Sequence, residues 1–256
     1  MNAILLAALS VGGFVILAVI GIAVARRFIH HHVSEGHNDV LVPMFLTAGV
    51  IYAVLIGFLV VGQWERYSEA NANAAEEASL LVPLYRLSLI MAPDKGEVMR
   101  EALRSYSHDV INGWSAFSHG GRVSAPGHDF ATIINTFSTL TPTSAARQIT
   151  DAKFLDIFTQ VSNDRNKRYL QRSESLSWIM WVVAIGGGIV IVAMSFLLYM
   201  ESQILHMVMA AVMAGLIGTL LFATALLDHP FAGPLAIDPA PFQASLAVFK
   251  GVDRGN

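Results

Sequence analysis

The chain has 256 residues, no cysteine, and a formal net charge of −3 from 16 basic and 19 acidic side chains. Apolar residues make up 54% and charged residues 14%, against roughly 25% charged in an ordinary globular chain, so charge is too scarce to cover a water-facing surface and lipid must supply part of the solvent. The composition also excludes a disordered chain, the missing cysteine excludes disulfides and thiolate chemistry, and the charge balance offers no basic face for nucleic acid.

Four stretches are candidates to cross a bilayer: residues 3–25, 40–62, 176–200 and 205–227, each of 23 to 25 residues and free of Asp, Glu, Lys and Arg. About 20 helical residues at ~1.5 Å rise cover a ~30 Å hydrocarbon core. In the first stretch Ala23-Val24-Ala25 has the small-x-small pattern of a signal cleavage site. No basic residue precedes Ala3, however, and the apolar run outlasts the roughly 7–15 residues of a secretory signal, so a retained helix is expected. Arg26 and Arg27 follow the first stretch, whereas Arg66, Arg165, Lys167, Arg168 and Arg172 flank the segment between the second and third. The larger basic count places that segment, and with it both termini, in the cytoplasm.

The insertion, residues 63–175, is polar and reads as helical throughout, with no strand alternation. Helix formers carry the second span onward; Pro83 is expected to bend it and Pro93-Asp94-Lys95-Gly96 to end it. Residues 97–117 place Val98, Ala102, Tyr106 and Val110 near one face of a helix. Gly120-Gly121 and Pro126-Gly127 mark a loop before a short helix around 129–140. Thr141-Pro142-Thr143-Ser144 then starts a last helix, whose mixed face runs through Ile149, Ala152, Leu155 or Asp156, and Phe158 or Thr159. In the tail, Pro230, Pro234, Pro239 and Pro241 forbid a regular helix at its start, and interspersed apolar residues suggest an extended strap along the stalk. The fold class is therefore an all-α integral membrane protein: a helix pair (1–62), a helical cytoplasmic stalk (63–175), a second pair (176–227) and a Pro-rich tail (228–256).

No HExxH, G-x-S-x-G, P-loop or G-x-G-x-x-G pattern is present, and the spans lack the acids, bases and ligands of an intramembrane enzyme. Neither catalysis nor a cofactor is expected. Gly186-Gly187-Gly188, like Gly215 with Gly218, reads as a close-packing surface between helices. His30, His31, His32 and His37, with Glu35 and Asp39, could bind a transition metal or titrate near neutrality. Neighbours in one loop do not by themselves converge on an ion, so an interfacial loop is the preferred reading and no metal is assigned.

Two patterns bear on transport. Leu46, Val50, Val54 and Phe58 form an i, i+4 stripe with no polar atom, which suits helix packing or a hydrophobic constriction that gates by dewetting. Tyr52 and Gln63, on another face, are the alternative pore lining. Past the second span, Glu65, Glu69 and Glu76 share one helix face; repeated around an axis they would become acidic rings that favour cations.

The segment VLIGFLVVGQWERY, residues 54–67, resembles the second transmembrane helix of bestrophin channels, which ends in a W-x-x-Y signature occupied here by Trp64 and Tyr67. The turn Asp228-His229-Pro230-Phe231-Ala232-Gly233 resembles the Pro-Phe-Gly turn that bestrophins carry after the fourth span. The closer similarity is to the bacterial bestrophin-like membrane proteins, through Tyr52-Ala53-Val54-Leu55, Trp64-Glu65, Glu76 with Ala78, Leu84-Tyr85-Arg86, and Asp228–Pro234 onward to Pro241-Phe242. The resemblance implies an oligomer, a pentamer by analogy, whose second helix lines a pore with its neck at Leu46, Val50 and Val54. The acidic run of calcium-gated bestrophins is reduced to Asp238, so calcium gating is not implied.

The expectation is a homo-oligomeric ion channel of the bacterial inner membrane, with lipid, inorganic ions and further copies of itself as partners and a lean toward cations. The alternative is a non-conducting scaffold or sensor whose stalk binds a partner.

Overall fold

The structure is a computed structural model that describes residues 3–28, 35–121, 125–141 and 144–255. Its elements are helices, in chain order α1 (Ala3–Ala7), a π turn (Ala8–Gly12), α2 (Gly13–Phe28), α3 (Glu35–Ser88), α4 (Pro93–Ser118), α5 (Ala125–Ser138), α6 (Ala145–Ser173), α7 (Trp178–Ser195), α8 (Gln203–Leu227) and α9 (Ala240–Asp253). Among the described residues there is no strand. Four segments are long and apolar enough to span a membrane: Ile4–Phe28, Gly36–Ser88, Trp178–Ser195 and Gln203–Leu227.

The chain divides into two units. The first takes the chain as far as Tyr67, with Ser175–His229 and Gly233–Leu235; the second takes Ser68–Glu174, Pro230–Ala232 and the chain from Ala236 onward. The break thus falls a few residues beyond the expected boundary at Gly62, inside the 54-residue α3.

In the first unit, α2 buries Phe14, Ala18 and Ile22, one per turn, and α8 answers with Ala210, Ala214, Ile217 and Leu221. The alanines among them, Ala18, Ala210 and Ala214, let helix backbones approach closely, which is how apolar helices associate when lipid is as greasy as they are. The triple glycine of α7 serves this end. A Cβ on Gly187 would lie 2.8 Å from the Tyr52 ring, and one on Gly188 would lie 2.9 Å from Phe14 and Ile217. Tyr52 fills that space and donates its hydroxyl to the Ala184 carbonyl at 3.0 Å. At the other end, the Asn38 amide donates to the Tyr199 carbonyl and accepts from the Tyr199 N–H, both at 2.9 Å, tying the start of α3 to the α7–α8 connection.

The second unit has an aromatic core: Tyr85, Tyr106, Phe117, Phe154, Phe231, Phe242 and Phe249 are all fully buried. The helical reading of the insertion holds, with its faces adjusted. On α4 the buried stripe is Met99, Leu103, Tyr106, Val110, Trp114 and Phe117, while Val98 is exposed. On α6 it is Phe154, Ile157, Phe158 and Val161, leaving Ile149 and Leu155 outside.

Two local readings are corrected. Helix α3 stays helical through Pro83 and ends at Ser88. Pro93 does not end that helix but opens α4, with Asp94 in its first turn; a first-turn proline has no helical hydrogen bond to forfeit, and an acidic neighbour suits the helix dipole. Before residue 240 the tail is mostly turns and bends, with the Ile237 N–H returning to the Pro230 carbonyl, rather than an extended strap, and from Ala240 α9 runs for 14 residues with Pro241 in its first turn. Ser144 does start α6, its hydroxyl accepting from the Arg147 N–H at 3.2 Å.

Candidate functional site

Helix α3 has two unlike faces within the first unit. Leu46, Val50, Val54 and Phe58 are 61%, 64%, 55% and 75% exposed on the single chain, whereas Tyr52, Ile56 and Gln63 are 8%, 1% and 2% exposed. The apolar stripe is thus not used for packing inside the chain. Tyr52 and Gln63 are instead buried within the chain and used for its own packing and hydrogen bonding.

Gln63 takes part in a polar joint. Its Nε2 donates to Oδ1 of Asp228 at 2.9 Å, the Leu176 N–H donates to the same oxygen at 2.6 Å, and Arg66 donates to Oε1 of Gln63 at 3.2 Å. His229 Nδ1 stands 3.5 Å from the second Asp228 oxygen. One aspartate therefore joins α3, the entry to α7 and the end of α8. Buried polar groups demand partners, and here each supplies another's. Just beyond, Trp64 and Tyr67 stack at 6.1 Å between centroids, with Trp64 largely exposed.

The acidic residues are on the surface: Glu65, Glu69 and Glu76 are exposed, whereas Glu77 is fully buried. In the second unit Glu69 pairs with Lys167 Nζ at 2.7 Å, and this bond raises the lysine above its ordinary value. Asp164 lies near Glu76 and Glu77. Burial, then the charges of these two glutamates, hold its carboxyl above the ordinary range. Neither α6 neighbour of the acidic face was visible in the sequence, because Lys167 lies 98 positions from Glu69 and Asp164 lies 88 from Glu76.

The remaining motif residues build the second unit. Tyr85 is buried, donates to Asp253 at 2.6 Å and stacks on Phe249 at 4.2 Å; Arg86 is exposed. Pro230 accepts from the Ile237 N–H at 2.9 Å. Phe231 packs edge-on to Trp114 and Phe117, and the Trp114 indole donates to the Ile237 carbonyl at 2.9 Å. Gly233, which belongs to the first unit, has φ +91°, a conformation that a side chain would strain.

His30, His31 and His32 lie outside the described residues, and His37 is exposed. Among the described residues no group of three or more His, Asp or Glu side chains is placed to hold a metal.

A family model described as the Bestrophin-like domain matches residues 12–242. No curated protein matches the sequence. Among solved structures, three single-substitution variants of a bacterial bestrophin homologue from Klebsiella pneumoniae share the fold. The first is 12% identical with TM-score 0.71, covering 96% of this chain and 98% of its own. The second is 13% identical with TM-score 0.71, covering 96% and 99%. The third is 13% identical with TM-score 0.70, covering 95% and 98%.

Proposed function

We propose, from the premise that this chain belongs to the bestrophin-like family of membrane proteins, that it assembles as a homo-oligomer, a pentamer by analogy, and conducts ions. In this reading α3 of each subunit faces the symmetry axis. Leu46, Val50, Val54 and Phe58 form an apolar neck, which excludes water until it widens. Glu65, Glu69 and Glu76 line the vestibule beyond it, and Lys167 offsets one of those charges in each subunit. The remaining acidic excess leans the selectivity toward cations. The insertion and both termini lie in the cytoplasm of a bacterial inner membrane, in line with the basic residues that flank the insertion.

The single observation that supports this most is the exposure of the neck stripe. Four large apolar side chains, one per turn, lie on the same helix as a buried face that the chain uses for its own packing. Reconstitution into liposomes under a potassium chloride gradient tests the proposal. Current with a reversal potential on the cation side is expected. Absence of flux at every pH and voltage, or a detergent-solubilised mass of one chain, would overturn it.

A further inference from the structure

Helix α2 borders a groove of about 540 Å³ on the first unit, lined by Ile16, Leu17, Ile20 and Val24 with Gly21 and Phe196 in its floor. The Phe196 ring lies so close over Gly21 that an added Cβ would sit 2.1 Å from it. The groove runs from Gly13 to Ala25, about 18 Å at ~1.5 Å per residue and more than half of a ~30 Å hydrocarbon core. Nothing in its lining can be hydrated favourably, and it lies within a segment apolar enough to span a membrane.

The next two residues are Arg26 and Arg27, in the last turn of α2. Arg26 donates through one terminal nitrogen to the Met200 carbonyl, while its Nε is buried and has no acceptor. Arg27 is exposed. Among the described residues neither arginine has an ion-pair partner; Glu201, beside Met200, forms none with them. A long greasy slot thus ends in two cationic groups, one holding an unused donor.

We propose that the first unit binds an anionic phospholipid, with one acyl chain in the groove along α2 and the phosphate at Arg26 and Arg27. Charge complementarity selects this occupant. The uncharged stretches 3–25, 40–62, 176–200 and 205–227 contain no acidic residue, so a neighbouring span pressed into the groove brings the hydrocarbon without an anion of its own, and only the flanking Glu35, Asp39 or Glu201 of another copy could supply one. A phospholipid brings the hydrocarbon and the anion in one molecule, and basic residues at the ends of spans recognise such headgroups. The site does not depend on whether the chain conducts.

Native mass spectrometry of protein taken from vesicles of equimolar phosphatidylcholine and phosphatidylglycerol tests this. The retained lipid should be enriched several-fold in phosphatidylglycerol. Arg26→Gln with Arg27→Gln should return it to the membrane ratio, and Ile20→Trp, which fills the groove, should lower retention of both lipids. Arg27→Gln alone should weaken the enrichment and serves if the double variant does not fold. Equal retention of the two lipids, enrichment that survives loss of the arginines, or undiminished retention in Ile20→Trp would overturn the proposal. A changed subunit number with unchanged lipid retention in Ile20→Trp would overturn it also, assigning the groove to a second copy.

Discussion

Arg168 grips the carboxylate of Glu77 with two hydrogen bonds, Nε to Oε2 at 2.7 Å and a terminal nitrogen to Oε1 at 3.0 Å. Tyr106 donates its hydroxyl to the same Oε1. Both charged groups are almost wholly removed from water, and the guanidinium is flanked by Trp114, Phe117 and Phe242, with ring centroids 5.0–5.6 Å away. The planar fork of arginine meets two oxygens at once while its faces rest on aromatic rings. Here two helices far apart in sequence are fastened inside the second unit.

Breaking this pair should be costly. Arg168→Met leaves a buried carboxylate without its counter-charge, and Glu77→Gln leaves a buried cation. Each is expected to lose about 3–5 kcal/mol. The double variant should lose less than the two singles summed, because neither charge is then stranded. Thermal unfolding of the detergent-solubilised protein measures all three.

Asp228 is the second point of dependence. Asp228→Ala removes one acceptor shared by Gln63 and the Leu176 N–H, and each orphaned donor costs about 1–3 kcal/mol. Asp228→Asn retains a carbonyl oxygen and should cost less. The order of melting temperatures, unaltered above Asn above Ala, checks the assignment.

A paired substitution separates pore lining from packing. Val54→Ser alters a side chain that is 55% exposed on the single chain, whereas Ile56→Ser alters one that is 1% exposed. The first should change stability by no more than about 0.5 kcal/mol yet raise the basal leak of reconstituted liposomes, since a hydroxyl wets a dewetted neck. The second should lower the unfolding temperature with no rise in leak per folded protein.

Asp129 on α5 should give the second unit a pH-dependent stability. Burial raises its carboxyl above the ordinary 3.8; a hydrogen bond with Ser105 opposes this, while the charge and hydrogen bond of Asp109 add to it, and His128 works against them. A folded pKa above the unfolded one means the folded chain holds more protons between the two values. The contribution is therefore present at low pH and falls as pH rises from the unfolded value through the folded one. Asp129→Asn removes that loss, so its advantage in melting temperature over the unaltered chain should grow as pH rises above the ordinary carboxylate value of about 4.

The uncharged runs in the sequence located four apolar helices because hydrocarbon tolerates no other composition. The start of α6 was legible at Ser144, a residue type that caps helices for a local reason. Pro93 and Pro241 were misread as interruptions, since proline forbids a helix interior but suits its first turn; the residue alone does not say which it will occupy. The exposed stripe from Leu46 to Phe58 was legible as a face, but not as an unused one, because periodicity describes a helix and not its neighbours. The partners of Glu77 and Glu69 were hidden for the same reason. Both are met by α6, where the charges of Lys167 and Arg168 read only as flanking basic residues.

The π turn at Ala8–Gly12 bears on how this chain can change. Ser10 returns its hydroxyl to the Leu6 carbonyl at 2.8 Å within the widened turn, and α8 comes so near that a Cβ on Gly218 would lie 2.7 Å from Ser10 O and Val11 Cα. Such a turn holds one residue more than an α-helix of the same rise. Deleting a single residue there would restore regular winding and leave the preceding side chains on nearly the same face, because the widened turn takes up the extra residue itself. The leading segment could thus shed one residue in one mutational step while the faces on both sides of the turn kept their direction.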